Sequence, residues 1–158
     1  MYLTFEASFF FKLAKRKLKI DPEFNFILIG IATPLLDYRM AWFINQILFK
    51  QLAKTDDLTI TDPQNRVQTA YGRFDYQEEL TKSVFHLVQN KQGAFCLIPE
   101  LRELDYLLLV KGEYYRPRKN EMVKKIRAVE QIQAVVIIDV ESLKSKNNLI
   151  FEENLKKN

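Results

Sequence analysis

Phe26-Ile27-Leu28-Ile29-Gly30-Ile31 is the run from which the rest of the chain is best read. Six consecutive apolar or small residues without polar alternation predict a short strand covered on both faces. Thr33-Pro34 ends it, because proline cannot donate to a sheet ladder. Downstream the period changes. Leu36, Met40, Phe43, Ile44 and Ile47 share a stripe about 100° wide, which predicts a helix over 35–53, stopped by Lys54-Thr55-Asp56-Asp57.

A brief strand is expected over 58–61 and a turn at Asp62-Pro63-Gln64-Asn65. Residues 67–76 and 80–88 then alternate polar with apolar and predict antiparallel strands with one face in water. Asn90-Lys91-Gln92-Gly93 reads as a turn into a strand over 94–98. Tyr106-Leu107-Leu108-Leu109-Val110 is a further buried strand. Arg116-Pro117 opens a second helix, proline suiting a first helical turn, with Met122, Val123, Ile126 and Val129 as its core stripe. Residues 134–140 form the last strand.

The order is β-α-β-β-β-β-β-α-β. It predicts an α+β two-layer sandwich with a mixed sheet and helices on one face, a ferredoxin-like split βαβ layout expanded by a central meander. The closing unit, residues 116–136, resembles the second half of small ACT-type regulatory domains.

The chain's 158 residues carry 24 Lys and Arg against 20 Asp and Glu. Residues 1–20 hold Lys12, Lys15, Arg16, Lys17 and Lys19 against Glu6 alone, so the rest is balanced. That weakens the nucleic-acid reading invited by a pI near 9.1, since phosphate binding needs cations gathered on the folded surface. Hydrophobic content of 47% is too apolar for a disordered chain. The apolar run 24–36 is interrupted by Asn25 and Pro34 and is too short for a membrane span. A cytoplasmic protein without a secretory signal is expected.

One histidine and one cysteine cannot build a zinc site within the chain. Cys96 reads as a small buried hydrophobe, and His86 as a strand histidine facing solvent or satisfied by a neighbour. With four glycines and neither a P-loop nor a G-x-G-x-x-G run, nucleotide binding of the usual kinds has no support, and no cofactor is expected.

Ile98-Pro99-Glu100-Leu101-Arg102-Glu103-Leu104-Asp105-Tyr106 resembles the signature of the IPExxxVDY family of Bacteroidota, with Leu104 in place of valine. Ile29-Gly30-Ile31 with Asp37-Tyr38-Arg39, Trp42 and Asn45, and the closing segment 142–151, resemble other parts of that family. The resemblance covers residues 18–151, leaving a basic extension at 1–17 and a polar tail at 152–158. It implies no established activity. Two carboxylates five positions apart across a turn could form an acid/base pair, a site for a hard cation or a structural network. The sharpest expectation from these motif residues, Pro99, Glu100, Asp105, Tyr106 and Arg39, is that Glu100 or Asp105 pairs with Arg39 and ties the first helix to the turn.

Opposite the first helix's core stripe, Tyr38, Trp42, Asn45 and Phe49 lie within an arc of about 60°. A helix apolar on two faces has more than a sheet to bury against. Either the N-terminal extension or a long loop covers Trp42, or these aromatics form a protein interface, most simply in a homodimer. The expected function is a non-catalytic interaction or regulatory module acting by protein association. The alternatives are an RNA- or ribosome-associated protein using the basic N-terminal arm, and an enzyme using Glu100 and Asp105.

Overall fold

The computed structural model describes residues 22–64 and 66–151. The basic extension at 1–17 and the tail at 152–158 lie outside the described residues. Strands β1 (Phe26–Ala32), β2 (Ala53–Lys54), β5 (Arg73–Glu78), β6 (Ser83–Gln89), β9 (Tyr106–Lys111) and β10 (Ala134–Ile138) form one sheet. Their order is β10-β1-β9-β6-β5-β2. Hairpins β3 (Leu58–Thr61) with β4 (Gln68–Tyr71), and β7 (Lys91–Gln92) with β8 (Phe95–Cys96), stand apart from it. Helix α1 (Asp37–Leu48) follows β1, and α2 (Lys119–Arg127) lies between β9 and β10.

The expected mixed sheet is corrected, because every neighbouring pair is antiparallel. Parallel directions occur only across an intervening strand: β1 runs with β6 through β9, and β9 runs with β10 through β1. Helix α2 thus lies on a crossover from β9 to β10 that skips β1, whereas after α1 the chain next joins the sheet at β2, on the far edge beyond β9, β6 and β5.

The two-layer expectation is corrected as well. Strand side chains alternate between faces, and both faces of the central strands are dry. Ile27, Ile29, Ile31, Leu108 and Val110 pack with Met40, Ile44, Met122 and Ile126 of the two helices. Phe26, Leu28, Leu107 and Leu109 face the other way and meet Leu58 and Tyr71 of the β3–β4 hairpin, Ile98, and Leu143 and Leu149 of the closing segment. Burying one such leucine or isoleucine contributes about 1.5–3 kcal/mol, so an apolar run like β1 or β9 requires cover on both sides. The hairpin and the C-terminal segment supply the third layer.

The single strand expected over 67–76 is two strands in two sheets. Gly72 divides β4 from β5; a Cβ there would stand 2.9 Å from Asp37 Oδ2 and from Gln89 Oε1, while the Gly72 amide donates to Gln89 Oε1 at 2.9 Å. Residues 80–88 do not expose one face to water either. Phe85, His86, Leu87 and Val88 of β6 are all buried, because the third layer covers the side that alternation assigns to solvent.

Helix α1 is shorter than its periodicity suggests. It stops at Phe49, whose φ of 55° is left-handed, and the acidic stretch lies beyond the stop. Such a conformation costs a non-glycine residue about 1–2 kcal/mol. Asn45 offsets this by clamping the following turn, accepting from the Leu52 amide at 2.8 Å and donating to the Leu52 carbonyl at 3.1 Å. Lys50, directly after the helix, turns inward. Its ammonium donates to Glu78 at 2.6 Å and to the Tyr115 hydroxyl at 2.7 Å. Burial alone would lower the Lys50 pKa, but these hydrogen bonds outweigh it and raise it.

Candidate functional site

The loop between β8 and β9 carries the motif residues, and it is a junction of chain segments distant in sequence. Leu104 occupies the space over Gly30: a Cβ at Gly30 would stand 2.2 Å from Leu104 Cδ1 and 2.8 Å from Ile138 Cδ1. The Asp105 carboxylate accepts from the Thr33 amide at 2.8 Å, and its backbone amide donates to the Ile31 carbonyl at 2.8 Å. The Tyr106 hydroxyl donates to the Leu35 carbonyl, anchoring the approach to α1. Burial, with Asp37 and Asp105 nearby, pushes that phenol's pKa well up. Glu100 accepts from the Ser145 amide at 2.9 Å and the Ser145 hydroxyl at 2.6 Å. Desolvation would raise the Glu100 pKa, and the Ser145 bonds bring it below its ordinary value. Pro99 opens the short 3-10 turn Pro99–Leu101.

The expected pairing of Arg39 with Glu100 or Asp105 does not form. Asp105 instead holds Lys91 at 3.2 Å, and Arg39 stacks over the Trp42 and Phe43 rings at 5.4 and 5.3 Å. The physical reason is that Tyr106 and Thr33 already tether α1's approach to the loop through backbone groups. Arg39 thus lies on the exposed side of its helix. A cleft of about 630 Å³ beside the loop is lined by Pro99 and Arg102 but by neither Glu100 nor Asp105.

Asn90, expected only as the first residue of a turn, is the hub of this loop. It is fully buried. Its side-chain amide donates to the carbonyls of Leu101 at 2.8 Å and Leu104 at 2.9 Å, and its side-chain oxygen accepts from the Ile98 amide at 2.8 Å. Its backbone pairs with Asp105 and Leu97. An asparagine preceding Lys-Gln-Gly carries no local signal for that role.

A second missed cluster joins Arg73, Asp75 and His86 on neighbouring strands β5 and β6. Arg73 donates from Nε and Nη2 to Asp75, and His86 Nδ1 lies 2.6 Å from Asp75 Oδ1. Burial would raise the Asp75 pKa, but the hydrogen bonds from His86 and Arg73 prevail and lower it to about 2. The Phe151 ring closes over Arg73 at 4.6 Å and stands edge-on to His86 at 4.9 Å. His86 is 1% exposed, which places its ring away from any solvent-borne substrate and gives it the neighbour-satisfied role. The signal was its opposition to Asp75 across the ladder, visible only once register is known.

The expected interface residues separate. Tyr38 is 59% exposed, Trp42 49% and Phe49 84%, with Leu36 beside them at 61%. Trp42 meets Phe43 edge-on at 5.1 Å. Asn45 does not belong with them, since both ends of its side chain are occupied by Leu52. Cys96, expected to be buried, is half-buried and lines the cleft. No described helix is long and apolar enough to cross a membrane. No family model and no curated protein matches the sequence.

Proposed function

We propose that the chain is a non-catalytic, cytoplasmic association module that pairs with a second copy of itself through the outer face of α1. The supporting observation is the exposure of Tyr38, Trp42 and Phe49 on that face, Phe49 being held outward by a left-handed turn. Strained backbone persists where the surroundings over-determine it, and such sites are often functional. Aromatic side chains are the usual anchors of protein interfaces. Arg39 is the principal charge beside these rings and already stacks on Trp42, so the patch carries little charge and is self-compatible, as an isologous contact requires.

The same reading extends to the fold and family. The order β10-β1-β9-β6, with α2 on a crossover that skips β1, supports a ferredoxin-like or ACT-like core in which residues 53–78 are an insertion after α1. The meeting of Gly30, Glu100, Asp105 and Ser145 at one junction supports the IPExxxVDY resemblance, because it gives three separated segments a common structural task.

Sedimentation velocity tests the association. The protein is expected to sediment as a dimer, and Trp42→Ala, at a side chain half in water, to shift it toward monomer. An interface anchor is worth about 2 kcal/mol or more, which is roughly thirtyfold in dissociation constant. A monomeric wild-type protein, or a dimer unmoved by both Trp42→Ala and Tyr38→Ala, overturns the proposal.

A second reading, RNA association, is favoured by one observation. Arg118, Lys119, Lys124 and Lys125 are exposed on and just before α2, a basic strip concealed by the neutral charge total of residues 21–158. Binding of single-stranded RNA that weakens steeply with salt and is lost in Lys119→Glu/Lys124→Glu would select that reading.

A further inference from the structure

The cleft of about 630 Å³ lies between the β3–β4 and β7–β8 hairpins, on the side of the sheet away from the helices. Its volume falls within the range of about 300–1,000 Å³ usual for small-molecule sites. Three features give it a chemical character. The first is Tyr71, which lines the cleft, is 2% exposed, and makes no hydrogen bond through its hydroxyl among the described residues. That hydroxyl is not among the enclosed side-chain atoms without a partner in the described residues, so it reaches solvent and is available to donate to an acceptor that a guest brings.

The second feature is cationic. Arg102 lines the cleft, is exposed, and has no ion pair among the described residues. Lys91 stands nearby, partly neutralised by Asp105 at 3.2 Å, with 40% of its side chain exposed. A free guanidinium presents a planar fork that fits a carboxylate. The third feature is apolar: Ile60, Phe95 and Pro99 offer walls against which a hydrocarbon or aromatic body can lie, and Phe95 is 40% exposed. Asp62 at the hairpin end adds a negative charge. One free cation, one half-compensated cation and an opposing carboxylate balance a single negative charge better than the two carried by phosphate.

We propose that this cleft binds a small monocarboxylate with an apolar body, its carboxylate on Arg102 and Lys91 and its body against Phe95 and Ile60, with Tyr71 donating a hydrogen bond to it. The site lies on the sheet face opposite α1, so it stands independently of the association surface.

Amide chemical-shift titration of the full chain with phenylacetate, isovalerate and inorganic phosphate tests it. The expected result is saturable shifts from at least one of the two acids at residues 60–62 and 91–96, with phosphate weaker. Arg102→Ala and Tyr71→Phe should each weaken binding about tenfold, the range for a hydrogen bond to a charged group. Arg102 is exposed and Tyr71→Phe keeps the ring, so both variants should retain the wild-type amide spectrum away from the cleft. No saturable shift with either acid, affinity unchanged in either variant, or saturation by phosphate alone would overturn the proposal.

Discussion

Asn90→Ala is expected to lower the free energy of unfolding by about 3 kcal/mol, although no cofactor, surface or charged group is touched. The side chain is fully buried and satisfies three backbone groups of the β8–β9 loop. Of these, the Leu101 carbonyl keeps a second partner in the Leu104 amide, while the Ile98 amide and the Leu104 carbonyl would be orphaned. Each orphan costs about 1–3 kcal/mol, and truncation adds a small cavity. For a chain this size that corresponds to a fall of about 10 °C in melting temperature. Asn90→Asp separates the contributions, since it keeps an acceptor for Ile98 but sets a carboxylate against two carbonyl oxygens. It should be at least as damaging. Urea unfolding of both variants checks this, and a loss below about 1 kcal/mol in Asn90→Ala would mean that the loop is held mainly by its apolar contacts.

Asp75→Asn is expected to cost a further-reaching loss of about 3 kcal/mol at neutral pH, because it leaves Arg73 and His86, 5% and 1% exposed, without their carboxylate. The pH dependence gives an independent check. The Asp75 carboxyl falls from an ordinary 3.8 to about 2 in the folded protein. A folded pKa below the unfolded one means that the unfolded state binds the proton first, so stability from this group is complete above about pH 4 and is lost as pH falls toward 2. The shift corresponds to about 2 kcal/mol. Chemical denaturation at stepped pH should show a steep acid limb in the wild-type protein and a flatter one in Asp75→Asn. Parallel acid limbs in the two proteins would assign the acid sensitivity to other carboxylates.

These two positions show where legibility in the sequence stopped. The strands at 26–32 and 106–111 and the core stripe of α2 were legible because periodicity is written in neighbouring residues. The exposed Tyr38, Trp42 and Phe49 were legible for the same reason. Asn45 was misjudged because its place on the helical wheel agreed with theirs, and nothing in the wheel reveals that Leu52 folds back to take both ends of its side chain. Arg39 was misjudged in the opposite sense, through a pairing with Glu100 or Asp105 that opposite charge suggested and geometry did not permit.

The sequence by itself determined where the two helices and the longer strands lie along the chain, and that β1 and β9 had to be dry on both faces. Its one histidine, one cysteine and four glycines are the reason neither a zinc site nor a nucleotide site of the usual kinds is expected. Only the tertiary structure decided what covers the second face, that Gly72 divides one apparent strand between two sheets, and how the polar residues pair. Glu100 meets Ser145 across 45 positions and Thr33 meets Asp105 across 72. Apolar burial follows from local pattern, since any apolar neighbour satisfies it. A hydrogen bond needs one partner at one distance and angle, and that partner is fixed only when distant segments have packed.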